Sequence, residues 1–225
     1  MTTTQTQPGT QTAAQPDYFA VFGLPRRLHI DLPQLERSFY RLSRQCHPDV
    51  YATKSPEEQQ WSLDQTSLLN DAYRTLKNPV SRTEHLLRLE GVVIEAGKSD
   101  DGTSKESRVP ADLLEEVFEL NMQLEEMRMN RKMGEDDPQL RADLEKARAT
   151  FESQLAAVDS NLEEQWARWD AALDAGLPEP ALGEPGTEAA KIKDEIVGLL
   201  DRRRYLRNLV RDVNDALEGQ AHPSR

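Results

Sequence analysis

Gln34 to Leu76 reads QLERSFYRLSRQCHPDVYATKSPEEQQWSLDQTSLLNDAYRTL. Leu35, Phe39, Leu42 and Cys46 recur at four, three and four residues, which places them on one face of a helix. Arg37, Arg41 and Arg44 lie off that face, towards solvent. His47-Pro48 ends the helix, because proline restricts the residue before it and cannot extend the hydrogen-bond ladder. Ser55-Pro56-Glu57-Glu58 starts another, with a cap, a proline and a capping-box glutamate. Its expected inward residues are Trp61, Leu68, Leu69, Ala72, Tyr73 and Leu76. The stretch thus predicts a helical hairpin with His47-Pro48-Asp49 in the loop at its tip.

Upstream, Phe19, Val21, Phe22 and Leu24 form a short apolar cluster closed by Gly23 and Pro25, and Asp31 is the expected N-cap of the arginine-bearing helix. Downstream, Asn78-Pro79 stops the second arm. A short helix follows from Val80 to Glu90, with Leu86, Leu87 and Leu89, and ends at Gly91. His29 and His85 are isolated and read as surface or boundary residues. The first domain is expected over 16–91. Residues 92–108 have loop composition and read as a linker.

The second domain, 109–219, predicts three long helices. Leu113, Val117, Leu120, Leu124 and Met127 set the first seam. Leu140, Leu144, Ala147, Phe151, Leu155, Val158, Leu162, Trp166, Trp169 and Leu173 set the second. After a Pro- and Gly-rich loop at 176–187, Ile192, Ile196, Leu199, Leu206, Val210, Val213 and Leu217 set the third. Heptad-like stripes joined by connectors predict an antiparallel three-helix bundle. No strand signal of any length appears, so the fold class is all-α. Leu114, Phe118 and Met122 form a second stripe one step off the first seam, flanked by Glu115, Glu119 and Glu126. Such a stripe either packs within the protein or docks a partner.

Composition narrows the function classes. The 225 residues carry 40 acidic and 28 basic side chains, a formal net charge of −12. That charge disfavours nucleic-acid binding. No run approaches a membrane-spanning length, so no membrane partner is expected. One cysteine, Cys46, excludes an internal disulfide and a multi-cysteine metal site. No metal or other cofactor is expected. Met1 to Gln15 holds no lysine or arginine and no apolar run. It reads as a disordered tail rather than a signal or transit peptide, 220–225 reads as a tail, and a cytoplasmic location is expected. Catalysis by His47 and Asp49 lacks a positioned nucleophile, since Cys46 continues the buried stripe, so no catalytic residue is expected. Recognition remains. Pro48 fixes the tip, while His47 and Asp49 offer a donor and an acceptor. Arg26 to Cys46 carries five arginines against Asp31 and Glu36, a positive strip in an acidic chain that would steer an anionic partner or simply form a solvated face.

Residues 17–77 resemble a J-domain, through Asp17-Tyr18-Phe19, Phe22-Gly23-Leu24-Pro25, His47-Pro48-Asp49 and Leu69-Asn70-Asp71-Ala72-Tyr73. The resemblance implies docking on a DnaK-type ATPase chaperone and stimulation of its ATP hydrolysis through His47, Pro48 and Asp49. Arg37, Arg41 and Arg44 match the basic docking helix in kind. Cys46 stands where an aromatic residue usually precedes the triplet, and Val50 where a basic residue often follows. Over 17–218 the chain is similar to HscB-type co-chaperones of iron–sulphur cluster assembly. Further matches are Pro79 with Arg82-Thr83-Glu84-His85-Leu86-Leu87, the helix from Leu113 to Met127, and Arg204-Tyr205-Leu206 with Leu209. That resemblance implies an L-shaped, non-enzymatic co-chaperone with two protein partners, an HscA-type ATPase and an IscU-type scaffold. The scaffold-binding surface would comprise Leu114, Glu115, Phe118, Glu119, Met122, Glu126 and Tyr205. Met122 replaces a commonly acidic residue there. A J-domain co-chaperone with a different client is the alternative.

Overall fold

The structure, a computed structural model, describes residues 16–92, 110–175 and 187–219. The expected tails at 1–15 and 220–225, nearly all of the 92–108 linker and the 176–186 part of the loop lie outside the described residues. The fold is all-α, with no strand among the described residues. It forms two compact units that divide after Val92.

The first unit holds α1 (Tyr18–Phe22), α2 (Leu32–Cys46), α3 (Pro48–Tyr51), α4 (Pro56–Lys77) and α5 (Pro79–Leu89). Each longer helix starts where the chain supplies a cap. Asp31 accepts from Gln34 N, Ser55 and Glu58 form a reciprocal capping box, and Asn78 accepts from Ser81 N ahead of Pro79. Helices α2 and α4 are antiparallel: Phe39 stacks on Tyr73 at 4.4 Å near one end, and Cys46 O accepts from Ser62 Oγ at 2.6 Å near the other. Phe19, Leu28, Leu35, Leu69, Ala72, Leu76, Leu86 and Leu87 fill the core.

Polar residues close this small core. Arg82 is buried and donates to Leu28 O at 2.8 Å and Leu76 O at 2.5 Å. Asp17 caps α1 and pairs with Arg26 at 3.0 Å, and Arg26 reaches Glu90 at 3.4 Å.

Two inward–outward assignments change. Trp61 is 47% exposed, and its ring rests on Tyr51 at 5.3 Å. The buried face of α4 begins one residue later, at Ser62, because that position meets the backbone carbonyl of Cys46 and needs a small donor. His85 is no surface residue: it is 2% exposed, stacks on Tyr18 at 4.3 Å and accepts from Tyr18 N through Nε2 at 3.1 Å.

Burial, then the nearby Arg88 charge, lowers the His85 pKa to about 4, with Arg26 adding to the effect and Asp17 opposing it. The neutral ring is favoured in the folded state, and protonation favours the unfolded chain. The contribution is therefore complete above the ordinary value of 6.5 and is lost as pH falls from there towards 4. The expected loss is on the order of 2 kcal/mol. Urea midpoints measured across that window should fall in the wild type and stay flatter in His85→Gln; parallel profiles would refute the assignment.

The second unit holds a 3-10 turn (Ala111–Leu113), α6 (Leu114–Met133), α7 (Pro138–Asp174) and α8 (Glu188–Glu218). Gly134, at φ 72, ends α6 in the left-handed region, and Asp137 caps α7 with Pro138 in its first turn. Side-chain pairs fix the register. Arg202 meets Asp112 at 2.7 Å, Gln154 meets Glu116 at 3.0 Å, and Arg131 donates to Ala216 O. Thus α6 runs with α8 and against α7, and accompanies α8 only from about Arg202 onward. Arg203–Asp159 ties α7 to α8 at that level, and beyond it the two continue as a pair joined by Arg168 to Glu188 and Glu195. The bundle is three-helical over the length of α6 and a hairpin beyond it.

The α8 seam shifts from the expected one. Leu200 and Leu209 are buried, while Leu199, Val210 and Leu217 are half-buried. Ala147, Leu155 and Leu173 of α7 are likewise half-buried. A straight helix turns once per 3.6 residues, so a seven-residue stripe drifts over 31 or 37 residues and neighbouring positions take over. No described helix is long and apolar enough to cross a membrane.

Candidate docking surfaces

Each unit presents a candidate surface among its described residues. In the first unit this is the hairpin tip. The triplet is no simple loop, because Pro48 begins the short helix α3. His47, extended at φ −60 and ψ 132, ends α2 and caps α3 at once. Its Nδ1 accepts from Asp49 N at 3.2 Å. The neutral ring therefore carries its proton on Nε2, as a donor. The His47 and Asp49 side chains are 50% and 91% exposed.

The end of α2 leaves carbonyls without helical partners, and side chains satisfy two of them. Tyr51 Oη donates to Gln45 O at 3.3 Å, and Ser62 Oγ and Thr66 Oγ1 donate to Cys46 O at 2.6 and 3.3 Å. Cys46 is buried, and its Sγ donates to Leu42 O at 3.4 Å. It occupies the space in front of the triplet as a small core residue. Tyr51, Ser62 and Thr66 support the tip, and sequence reasoning missed them. Hydroxyls on the second and third turns of α4 are a faint signal, legible only once the arms are known to be antiparallel.

Arg37, Arg41 and Arg44 follow one another along the outer face of α2, all exposed. None has an ion-pair partner among the described residues. Arg44, in the last turn of α2, also sits favourably at the negative end of the helix dipole. The tip thus offers unpaired positive charge leading to one exposed carboxylate.

In the second unit the surface lies on α6. Leu114, Phe118 and Met122 are 54%, 68% and 60% exposed, while Val117, Leu120 and Leu124 on the opposite side are buried. Glu115, Glu119 and Glu126 are exposed alongside. Tyr205 of α8 is half-buried. Its hydroxyl pKa is raised, first by burial and then by the Asp212 charge. The Arg202–Asp112 register sets Tyr205 level with the first turns of α6. The hairpin-tip residues and the α6 residues belong to different units.

No family model matches the chain. Two solved structures are similar to it. The chaperone HscB from Vibrio cholerae is 22% identical, with a TM-score of 0.52, over 92% of this chain and 100% of that one. The human co-chaperone protein HscB is 22% identical, with a TM-score of 0.54, over 89% of this chain and 82% of that one. The chain therefore has the HscB-type fold.

Proposed function

We propose that this protein is a non-enzymatic, cytoplasmic co-chaperone that stimulates ATP hydrolysis by an HscA/DnaK-type chaperone and delivers an IscU-type iron–sulphur scaffold protein to it. The observation that carries this reading is the presentation of His47-Pro48-Asp49: an exposed donor and carboxylate on a braced tip, beside three exposed arginines. The arginines of α2 steer the tip towards a negatively charged surface of the ATPase. Asp49 then offers a carboxylate to donors there. The α6 stripe, with its glutamates and Tyr205, is the scaffold-binding surface, since large exposed apolar groups ringed by charge suit a protein interface. The HscB-type fold supports the same reading.

Steady-state ATP hydrolysis by the cognate HscA-type chaperone tests it, with wild-type protein or Asp49→Asn, each with and without scaffold. Stimulation by the wild type should rise further with scaffold and drop at least tenfold in the variant. Stimulation without synergy would leave the ATPase half of the reading and remove the scaffold. A wild type that stimulates nothing would remove both.

A further inference from the structure

The chain has five methionines, and Met122, Met127, Met129 and Met133 all lie on α6. Met122, Met129 and Met133 are 60%, 46% and 59% exposed, whereas Met127 is 6% exposed. Leu114, Phe118, Met122, Met129 and Met133 recur at four, four, seven and four residues. At the α-helical turn they fall within about 100° of one another. The exposed stripe therefore runs the whole length of α6, and its C-terminal half is made of thioethers.

We infer that Met122, Met129 and Met133 form an oxidant-sensitive modification site that releases the scaffold partner. The inference rests on α6 being the scaffold-binding surface. A peroxide supplies the oxidant. The thioether sulfur attacks one oxygen of hydrogen peroxide, the S–O bond forms as the O–O bond breaks, and the departing hydroxide takes the proton of the sulfur-bound oxygen and leaves as water. Sulfur loses two electrons and peroxide gains them. The product sulfoxide is polar and strongly hydrogen-bond accepting. Its burial against a partner requires a donor. The helix neighbours of Met122 at three and four residues are Phe118, Glu119, Glu125 and Glu126. Ionised carboxylates only accept, so this chain supplies that oxygen with no donor from those positions. At Met122 a flexible apolar contact becomes an unsatisfied polar one, whereas Met129 and Met133 have Lys132 and Asn130 three residues away. Met127, on the buried side of the same helix, is a built-in reference with the same chemistry and no access.

The test treats the full chain with hydrogen peroxide, removes it, maps sulfoxides by peptide mass, and measures binding to an IscU-type scaffold. Met122, Met129 and Met133 should oxidise well before Met127, with helicity unchanged, and affinity should drop at least tenfold. Methionine sulfoxide reductases of both stereospecificities should restore it. In the triple variant Met122→Leu, Met129→Leu, Met133→Leu, scaffold affinity after peroxide should equal that variant's own untreated affinity. Unchanged affinity in a protein carrying all three sulfoxides would overturn the inference, as would equal peroxide sensitivity of the triple variant. Equal oxidation rates at Met127 would overturn it too. If the untreated protein bound no scaffold, the surface reading would fall and the release with it.

Discussion

Arg82→Met is expected to destabilise the first unit by roughly 3–5 kcal/mol, a large fraction of a small domain's stability. The guanidinium joins three segments. It stands on α5, donates to Leu76 O at the end of α4, and donates to Leu28 O in the connection between α1 and α2. Leu76 O belongs to the last turn of a helix, where carbonyls have no intrahelical partner. Leu76 and Leu28 are both buried, so water does not readily replace the lost donors. Methionine keeps most of the side-chain length but leaves both carbonyls without this donor, each at about 1–3 kcal/mol. Hydrogen exchange of α4 and α5 amides reads the effect: protection should fall by two orders of magnitude or more. Protection within threefold of wild type would mean that the carbonyls find other partners and that Arg82 is dispensable.

Arg82 and His85 also show why part of the fold was hard to read. The fold class, the two arms and their capped starts followed from apolar spacing and from Asp31 and Ser55, whereas Asn78 reads in sequence only as a stop and its capping of α5 is seen in the structure. On α5, however, Arg82, Thr83 and His85 are buried beside Leu86 and Leu87. Polar residues on a buried face erase the period that marks it. Their burial is set by carbonyls and an amide from distant segments, which no local pattern encodes. Trp61 fails for the opposite reason. A large aromatic residue reads as core, yet the facing position is taken by a backbone carbonyl, and a serine one residue later fills it. The stripe of Leu114, Phe118 and Met122 was legible because it lies one step off a clear seam, but spacing left open whether it packs within the protein, and the structure exposes it. The bracing of the tip by Tyr51, Ser62 and Thr66 was not, since it depends on which residues of antiparallel arms come level. Within α8, half-burial of Leu199 and Val210 follows from the drift of a long straight helix against a seven-residue repeat.

Leu114→Ala with Phe118→Ala is expected to weaken scaffold binding about a hundredfold while leaving scaffold-independent ATPase stimulation unchanged; Asp49→Asn should do the reverse. Both α6 side chains are more than half exposed, so their removal opens no core cavity. Alanine is also the better helix former, and folding should change by no more than about 0.5 kcal/mol. On binding, the same two side chains would be the large apolar anchors of the interface, a class that costs roughly 1–2 kcal/mol or more each when truncated. Asp49→Asn keeps shape and removes one charge from a side chain that is 91% exposed, so it too should leave the fold intact. The measurements are scaffold affinity by calorimetry and ATP hydrolysis without scaffold, made on the same four proteins: wild type, each variant and their combination. Independent surfaces predict that the combination shows both losses at their single-variant sizes. Synergy of the scaffold with stimulation should disappear in every variant, because synergy needs both surfaces occupied at once. If the α6 variant bound the scaffold as tightly as wild type, the stripe would serve a different client while the hairpin tip kept its role. Loss of stimulation in the α6 variant without scaffold present would instead mean that the ATPase itself reads α6, and the division of labour between the two surfaces would have to be abandoned.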